Sequence, residues 1–264
     1  MAFEKIGSIN RSRIFQICLE FADESGLEYQ ILAKSRVLKE RVLKEFYAEH
    51  PEIVFQNYSY SQNGEDLILS RLLEGHPVGK YIDIGAHHPF RFSNTAKLYS
   101  EGWSGLNVDP NPTSIKDFET FRNLDDNMCI ALGKTEEFRS YFQYEESALN
   151  TFAHERALQL QDLGIHPISV EPIKFVKAKN FLESRFTNDT YLFTLDVEGL
   201  DLEIIGDLDY RYFKPCFVIF EFEMQSLQDI FDLISKVDFL NHYTAKSVAF
   251  NSVILQNVNC NHAN

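Results

Sequence analysis

Short apolar runs alternate with amphipathic stretches along the chain from residue 80 onward. The runs occupy residues 81–84, 105–108, 128–132, 191–195 and 217–222. Strands that alternate with helices of about ten residues form a parallel sheet, because each right-handed crossover returns the chain to the end of the sheet at which the previous strand began. Two further segments, 239–245 and 248–256, are joined by about two residues and predict a terminal antiparallel hairpin. We therefore predict an α/β, Rossmann-like fold with a seven-stranded, mostly parallel sheet.

A helical extension is predicted before this sheet. Apolar residues between positions 9 and 50 recur at helical intervals, as at Ile14, Ile17 and Phe21. Pro51 ends the second of two helices, because proline disfavours the helical conformation in the preceding residue. We predict a helical extension at residues 1–56 that forms a cap or a homo-oligomer face, and a sheet domain at residues 57–264 that opens with a helix at 65–73.

Residues 138–177 interrupt the regular alternation. An edge strand is predicted near residues 138–142, and a short helix at 153–163 is predicted to end at Gly164. We interpret residues 144–168 as an insertion over the carboxyl edge of the sheet.

The overall charge limits the classes of partner. The chain has 264 residues with 39 acidic and 25 basic side chains, which gives a net charge of -14. This surface repels phosphate backbones, so we expect no nucleic-acid partner. The first twenty residues contain neither a signal-type apolar core nor a membrane-spanning run, so we expect a cytoplasmic protein without a membrane span.

The cysteines predict neither a zinc site nor a disulfide framework. Cys18, Cys129, Cys216 and Cys260 are scattered, without a paired Cys-x-x-Cys spacing. We expect them to be reduced and mostly buried.

Polar residues follow the first two apolar runs, where an open parallel sheet binds its ligands. Asp83 and Gly85 follow the first run, and Asp109 follows the second. Gly85 permits a tight turn, and an acidic residue after the second strand is placed to accept both hydroxyls of a ribose. The pattern indicates a nucleoside-type cofactor.

The glycine spacing separates the candidate cofactors. A dinucleotide fold uses G-x-G-x-x-G to approach a pyrophosphate, but His87 and Phe90 occupy the later glycine positions here. Gly133-Lys134-Thr135 lacks the first glycine of a P-loop, since Met128 stands there. S-adenosylmethionine (SAM) has no phosphate and tolerates a single-glycine turn, so we favour it over the alternative of an NAD-linked oxidoreductase.

Four segments together resemble the FkbM-type SAM-dependent methyltransferases. They read SQNGED at 61–66, DIGAHHPFRFSNT at 83–95, GWSGLNVDPNP at 102–112 and LDVEGLD at 195–201. The resemblance runs from about Ser61 to Gln256 and implies the Class I methyltransferase sheet, SAM as the methyl donor, and O-methylation of a sugar or other hydroxyl in a glycan, a polysaccharide precursor or a secondary metabolite. It does not reach the N-terminal helices or the insertion.

The resemblance also implies positions for the cofactor. Asp83 and Gly85 look like the first SAM motif, Asp109 like the ribose ligand, and 128–132 like the adenine wall. Gln62 and Asn94 are candidates for the methionine end. The full set of candidate cofactor-binding residues is Gln62, Asp83, Gly85, Ala86, His87, Asn94, Asp109, Asn111, Ala131 and Asp196.

The end of the fourth predicted strand carries the candidate catalytic residues. Methyl transfer requires the acceptor oxygen to be oriented about 3 Å from the methyl group and to lose its proton. We predict that Asp196 positions the reacting groups, with Glu198 or His88 as base. His88, Arg91 and Glu221 are candidate acceptor contacts. The plainer interpretation of Asp196 and Glu198 is an acidic first turn of the helix near 199–205.

Two alternatives remain open from the residues. Asp196, Glu198 and Glu221 are oxygen ligands that could hold Mg²⁺ and activate a sugar diol. The chain could instead be a non-catalytic glycan-binding protein that has kept the fold.

Overall fold

A computed structural model of the chain describes residues 58–197 and 199–260. The chain divides into two compact units, Met1–Tyr58 and Ser59–Asn264. The predicted N-terminal helices and their oligomer face lie outside the described residues, and both stay predictions.

The second unit contains a seven-stranded sheet in the order β3-β2-β1-β7-β8-β10-β9. Every neighbouring pair is parallel except those of β10, which runs antiparallel to both β8 and β9. The strands are β1 Lys80–Ile84, β2 Ser104–Val108, β3 Asp126–Met128, β7 Thr190–Leu195, β8 Phe217–Glu221, β9 Tyr243–Ala249 and β10 Ser252–Asn257. The predicted sheet with a terminal antiparallel hairpin is confirmed.

The central strands are apolar on both faces because helices cover both faces of the sheet. In β1, Ile82 and Ile84 face one core together with Phe193, while Tyr81 faces a second core together with Leu192. Successive side chains of a strand thus point to opposite faces of the sheet. The same alternation decides which side chains at the strand ends can reach a ligand.

Seven helices connect or flank the strands in the described residues. They are α1 Glu65–Leu72, α2 Ala96–Ser100, α3 Pro112–Phe121, α4 His154–Asp162, α5 Ala178–Arg185, α6 Asp201–Ile205 and α7 Leu227–Lys236. Short 3-10 turns occupy Ser147–Leu149 and Leu240–His242. No described helix is long and apolar enough to cross a membrane.

A second sheet of three strands, in the order β4-β6-β5, stands beside the main sheet. Its strands are β4 Ala131–Gly133, β5 Phe138–Gln143 and β6 Ser169–Lys177. The single strand predicted at 128–132 is wrong, because the chain turns after Met128 and β4 pairs with β6 instead. The segment between β5 and β6 contains α4, which matches the helix predicted near 153–163.

The hairpin turn also differs from the prediction. We placed it at Lys246 and Ser247, but β9 continues to Ala249 and the chain reverses at Phe250 and Asn251. The register between β9 and β10 shifts between Ile254 and Leu255 of β10. The polar residues at 246–247, which interrupt the apolar pattern, therefore mark a β-bulge and not a turn.

The prediction that the cysteines are all reduced is wrong. Cys216 and Cys260 form a disulfide across a sequence separation of 44 residues. The pairing has no local motif, because it joins the residue before β8 to the segment after β10. Cys129 is free and exposed, and Cys18 lies outside the described residues.

Candidate functional site

A cleft that is open to solvent lies at the carboxyl ends of β1, β2 and β7. We call it the large cleft. The structure brings seven of the predicted cofactor residues to its wall: Gln62, Gly85, His87, Asp109, Asn111, Ala131 and Asp196. Their convergence follows from the parallel sheet, whose strand ends meet at one edge.

Gly85 shapes the floor of the large cleft. Its φ is +77°, and a Cβ atom there would stand 1.7 Å from the carbonyl oxygen of Asp196. Its amide donates to the Val108 carbonyl at 2.8 Å. Only glycine therefore allows the ends of β1 and β7 to approach this closely.

Asp109 presents a fixed carboxylate in the wall of the large cleft. Its Oδ2 accepts the His87 amide at 3.0 Å and its Oδ1 accepts the Asn111 amide at 2.8 Å. The side chain is buried, and this burial raises the pKa of Asp109 to about 6 despite the two amide donors. Each oxygen keeps a lone pair for a ligand hydroxyl.

His87 holds a left-handed conformation beside Asp109, with a φ of +56°. Its ring stacks on Phe92 at 6.1 Å, and its Nε2 is buried with no hydrogen-bond partner among the described residues. Burial lowers the pKa of His87, and the nearby Arg91 and His88 lower it further. A neutral imidazole with an unmet polar atom at the wall is suited to a ligand contact.

The far wall of the large cleft is mainly apolar. Ile130, Ala131 and Leu132 line it with Val108. The insertion closes this side through Ser147, Ala148, Asn150, Thr151 and Phe152. Composition alone did not point to these insertion residues, because small polar residues in a loop have no distinctive pattern.

Asp196 connects the large cleft to a smaller one. Its amide donates to the Ile84 carbonyl at 2.9 Å, which fixes the chain at the end of β7. Asp196 also lines a second, narrow space with room for only one or two water molecules, which we call the small cavity. Two other predicted site residues, Asn94 and Glu221, line the small cavity rather than the large cleft.

A match to the methyltransferase FkbM domain spans residues 83–243, more than half of the 264-residue chain. It includes the Gly85 turn, Asp109 and Asp196. The chain belongs to the FkbM methyltransferase family. Membership supports methyl transfer with SAM as the donor. No curated protein matches the chain significantly.

Several solved structures resemble the FkbM-family chain at low identity. A candidate caffeoyl-CoA O-methyltransferase from Staphylococcus aureus is 12% identical, with 85% of this chain and 99% of that chain covered and a TM-score of 0.38. A TehB-like SAM-dependent methyltransferase from Corynebacterium glutamicum is 11% identical over 82% and 99% of the two chains, at a TM-score of 0.36. Monomeric WbdD is 14% identical, with 79% of this chain and 44% of that chain covered and a TM-score of 0.36.

Asp83, part of the FkbM signature, does not line the large cleft. Its buried Oδ2 accepts the Thr95 hydroxyl at 2.6 Å, and burial raises its pKa to about 6. Ala86 is likewise buried outside the cleft lining, and its amide donates to the Val108 carbonyl. The structure gives both residues contacts that hold the loop after β1.

A fully buried arginine supports this loop from behind. Arg122 Nε pairs with Asp125 at 2.9 Å, and its Nη2 donates to the hydroxyls of Tyr81 at 2.7 Å and Thr95 at 3.0 Å. Thr95 then donates to Asp83. Sequence reasoning missed Arg122, because its partners are spread over β1, the residue before α2 and the segment after α3.

His88 and Arg91 line neither space. His88 Nδ1 accepts the amides of Phe90 and Arg91, both at 3.0 Å. Arg91 pairs with Glu146 of the insertion at 2.9 Å, with both side chains about half exposed. Glu198 falls in the one-residue gap of the described chain.

The structure lends no support to the Mg²⁺ alternative. Within residues 58–197 and 199–260, no group of three or more His, Cys, Asp or Glu side chains is placed to hold a metal ion. Glu198, one of the three predicted ligands, is not described.

Proposed function

We propose that the chain is a SAM-dependent O-methyltransferase that acts on a sugar hydroxyl of a glycan or its precursor. The observation that carries the proposal is Asp109, whose two carboxylate oxygens are fixed by backbone amides in the wall of the large cleft. A carboxylate held in this way is suited to the two hydroxyls of a ribose.

The residues of the large cleft fit the other parts of SAM. Ile130, Ala131 and Leu132 offer an apolar surface for the adenine, and Gln62 is a polar candidate for the methionine end. The positions after Gly85 supply no further glycine to cradle a pyrophosphate. The lining of the large cleft, the lack of further glycines after Gly85 and the family match together favour SAM over NAD.

SAM supplies an activated methyl group when bound. The work left to the chain is to orient the acceptor, exclude water and take the proton. We propose Asp196 as the positioning residue, because it lines both the large cleft and the small cavity. We propose Glu198 rather than His88 as base, because two backbone amides occupy His88 Nδ1.

Exposed aromatic rings support a sugar as the acceptor. Phe92 is 40% exposed and lines both spaces. Phe90 is 42% exposed and contacts Phe121 edge to face at 5.6 Å. Apolar ring faces of this kind provide stacking surfaces for sugar rings.

The cytoplasmic location stays a proposal. It was predicted from the N-terminal sequence, and the Cys216–Cys260 disulfide argues the other way, because thiols stay reduced in most cytosols.

The test is methyl transfer from radiolabelled SAM to oligosaccharides, compared with transfer to peptide and lipid. The expected result is label in a base-stable ether on the oligosaccharide. Binding of SAM without transfer to any of the three classes would favour the non-catalytic alternative, and tight binding of NAD in place of SAM would overturn the proposal.

A further inference from the structure

Arg91 belongs to the FkbM signature, yet its side chain does not line the large cleft. It reaches instead to the insertion, where Nη1 and Nη2 donate to Oε1 and Oε2 of Glu146 at 2.9 and 3.2 Å. A two-pronged contact of this kind fixes the direction of both side chains as well as their distance. Phe92 and Ser147, the residues that follow the two partners in the chain, both line the large cleft. The ion pair therefore joins two walls of the cleft.

Glu146 lies in a loop of the insertion that is closed at its base. The backbones of Phe142 and Thr151 pair there through hydrogen bonds of 2.9 and 3.1 Å. Away from this base, Glu146 accepts the Ala148 amide at 3.2 Å and so caps the 3-10 turn Ser147–Leu149. The carboxylate that pairs with the arginine thus also shapes this turn.

We call residues 145–149 the insertion tip. Two of its residues, Ser147 and Ala148, line the large cleft. Among the described residues outside the loop 142–151, Arg91 is the one that forms hydrogen bonds to the insertion tip. Both partners of the ion pair are about half exposed, and exposed pairs add little to the stability of a fold. The effect of the pair is therefore local, because it holds the tip in place beside the cleft.

The ion pair also lies close to the residues proposed to bind the ribose. Burial lowers the pKa of His87, the charge of Arg91 lowers it further, and the charge of Glu146 raises it. The guanidinium lies 4.5 Å from the centroid of the Phe92 ring, which stacks on His87. The His87 amide in turn donates to Asp109. A continuous set of contacts thus runs from the insertion tip to Asp109.

We propose that Arg91 and Glu146 are positioning residues that hold the insertion tip as a wall against bound SAM. The inference rests on the proposed function, because it takes the ligand of the large cleft to be SAM. Neither side chain touches the ligand in this arrangement. When the pair is broken, the tip can move away from the cleft, water enters on that side, and the ligand leaves faster. This role differs from the acceptor contact that the sequence predicted for Arg91.

The first experiment compares the two partners singly and together. Calorimetry first measures binding of S-adenosylhomocysteine (SAH) to the full chain; its absence would overturn the proposed function together with this assignment. Surface plasmon resonance then gives the dissociation rate of SAH from the natural protein, Arg91→Gln, Glu146→Gln and the double variant. Glutamine at position 146 keeps an oxygen for the Ala148 amide, so the turn keeps its cap while the ion pair is lost.

We expect each single variant to release SAH about fivefold faster or more. The double variant should stay within about twofold of the faster single variant, because loss of either partner already breaks the pair. With SAH binding established, three results would overturn the assignment and leave the proposed function standing. They are unchanged dissociation in both single variants, an effect confined to one of them, and effects that multiply in the double variant, as they would if Arg91 contacted the ligand itself.

Ionic strength tests the pair in the natural protein. Salt screens exposed charges, so dissociation of SAH should become about threefold faster between about 0.05 and 0.5 M NaCl, and Glu146→Gln should lose this dependence. Lys80→Gln is the matched control, because Lys80 pairs with Asp189 at 3.0 Å with similar exposure but begins β1, at the opposite end from the cleft. Its dissociation rate should stay within about twofold of the natural value. An equal salt dependence in Glu146→Gln, or an equal acceleration in Lys80→Gln, would contradict the positioning role.

Discussion

Among single residues, Gly85 and Asp109 set the geometry of the large cleft: Gly85 lets the ends of β1 and β7 approach each other, and Asp109 presents a carboxylate held by two backbone amides. Both could be predicted from the sequence, because they sit directly after apolar runs, where strand ends and turns have a local pattern. Asp83 was predicted in the same way, yet its carboxylate points to Thr95 instead of the cleft. The identity of a strand-end residue is a local signal, whereas the face on which its side chain emerges depends on the strand register.

The Gly85 position tolerates no side chain. We expect Gly85→Ala to destabilise the fold by about 2–4 kcal/mol, because the new Cβ would meet the Asp196 carbonyl and φ is left-handed. Urea unfolding measures the effect. Gly102→Ala is the matched control, since Gly102 also has a positive φ of +96° but has open space around it. Gly102→Ala should lose clearly less unfolding free energy, and equal losses in the two variants would show that the contact with the Asp196 carbonyl has no effect.

The raised pKa of Asp109 predicts a pH dependence for SAH binding. The ionised carboxylate accepts the ribose hydroxyls best, so binding stabilises the ionised form and lowers its pKa. Because the pKa of Asp109 in the free protein is about 6, affinity should be constant above about pH 7 and should fall by up to about tenfold per pH unit below 6. Calorimetry between pH 5 and 8 measures this. In Asp109→Asn the slope should disappear; a slope of the same size in that variant would assign it to another group.

At the scale of elements, the central strands could be predicted because β1, β7 and β8 are buried apolar runs. The second sheet could not, because β4 has three residues and pairs only with the distant β6. The bulge in β9 was taken for a turn because both interrupt the apolar alternation with polar residues. Such differences arise wherever pairing between distant segments decides the local conformation.

The Arg122 network joins Tyr81 of β1, Thr95 at the start of α2 and Asp125 after α3, behind the loop of the large cleft. Removing one partner of a buried ion pair leaves the other charge unpaired, so Arg122→Ala should cost about 3–5 kcal/mol of unfolding free energy. The control is Arg185→Ala, whose pair with Asp126 is partly exposed and should contribute less than about 1 kcal/mol. Chemical denaturation compares the two variants, and similar losses would show that the network is not a stabilising element.

At the scale of the whole molecule, the net charge of -14 gives the expectation of no nucleic-acid partner, and no pattern in the sequence indicated the disulfide. Cysteines without a spacing motif give no pairing signal, because only the tertiary fold brings Cys216 and Cys260 together. The N-terminal helices have a clear periodic pattern, and their proposed role in oligomerisation remains a prediction for solution measurements.

Reduction of the Cys216–Cys260 disulfide should destabilise the protein. Closing a loop across 44 residues stabilises the fold by about 4 kcal/mol in the chain-entropy model. We expect dithiothreitol and Cys216→Ser to lower Tm by similar amounts, measured by differential scanning calorimetry. Cys129→Ser should leave Tm unchanged, because Cys129 is exposed and free. A Tm insensitive to reduction would show that the two thiols are not linked in the folded protein.

The proposed function depends above all on Asp109 binding the adenosine of SAM in the large cleft. Isothermal titration calorimetry with SAH tests it most directly, comparing the natural protein with Asp109→Ala and with Glu119→Ala, an exposed acidic residue on α3. We expect the natural protein and Glu119→Ala to bind SAH alike, and Asp109→Ala to bind it about 100-fold more weakly, which corresponds to about 3 kcal/mol of lost hydrogen bonding. Binding of equal strength in folded Asp109→Ala would contradict it.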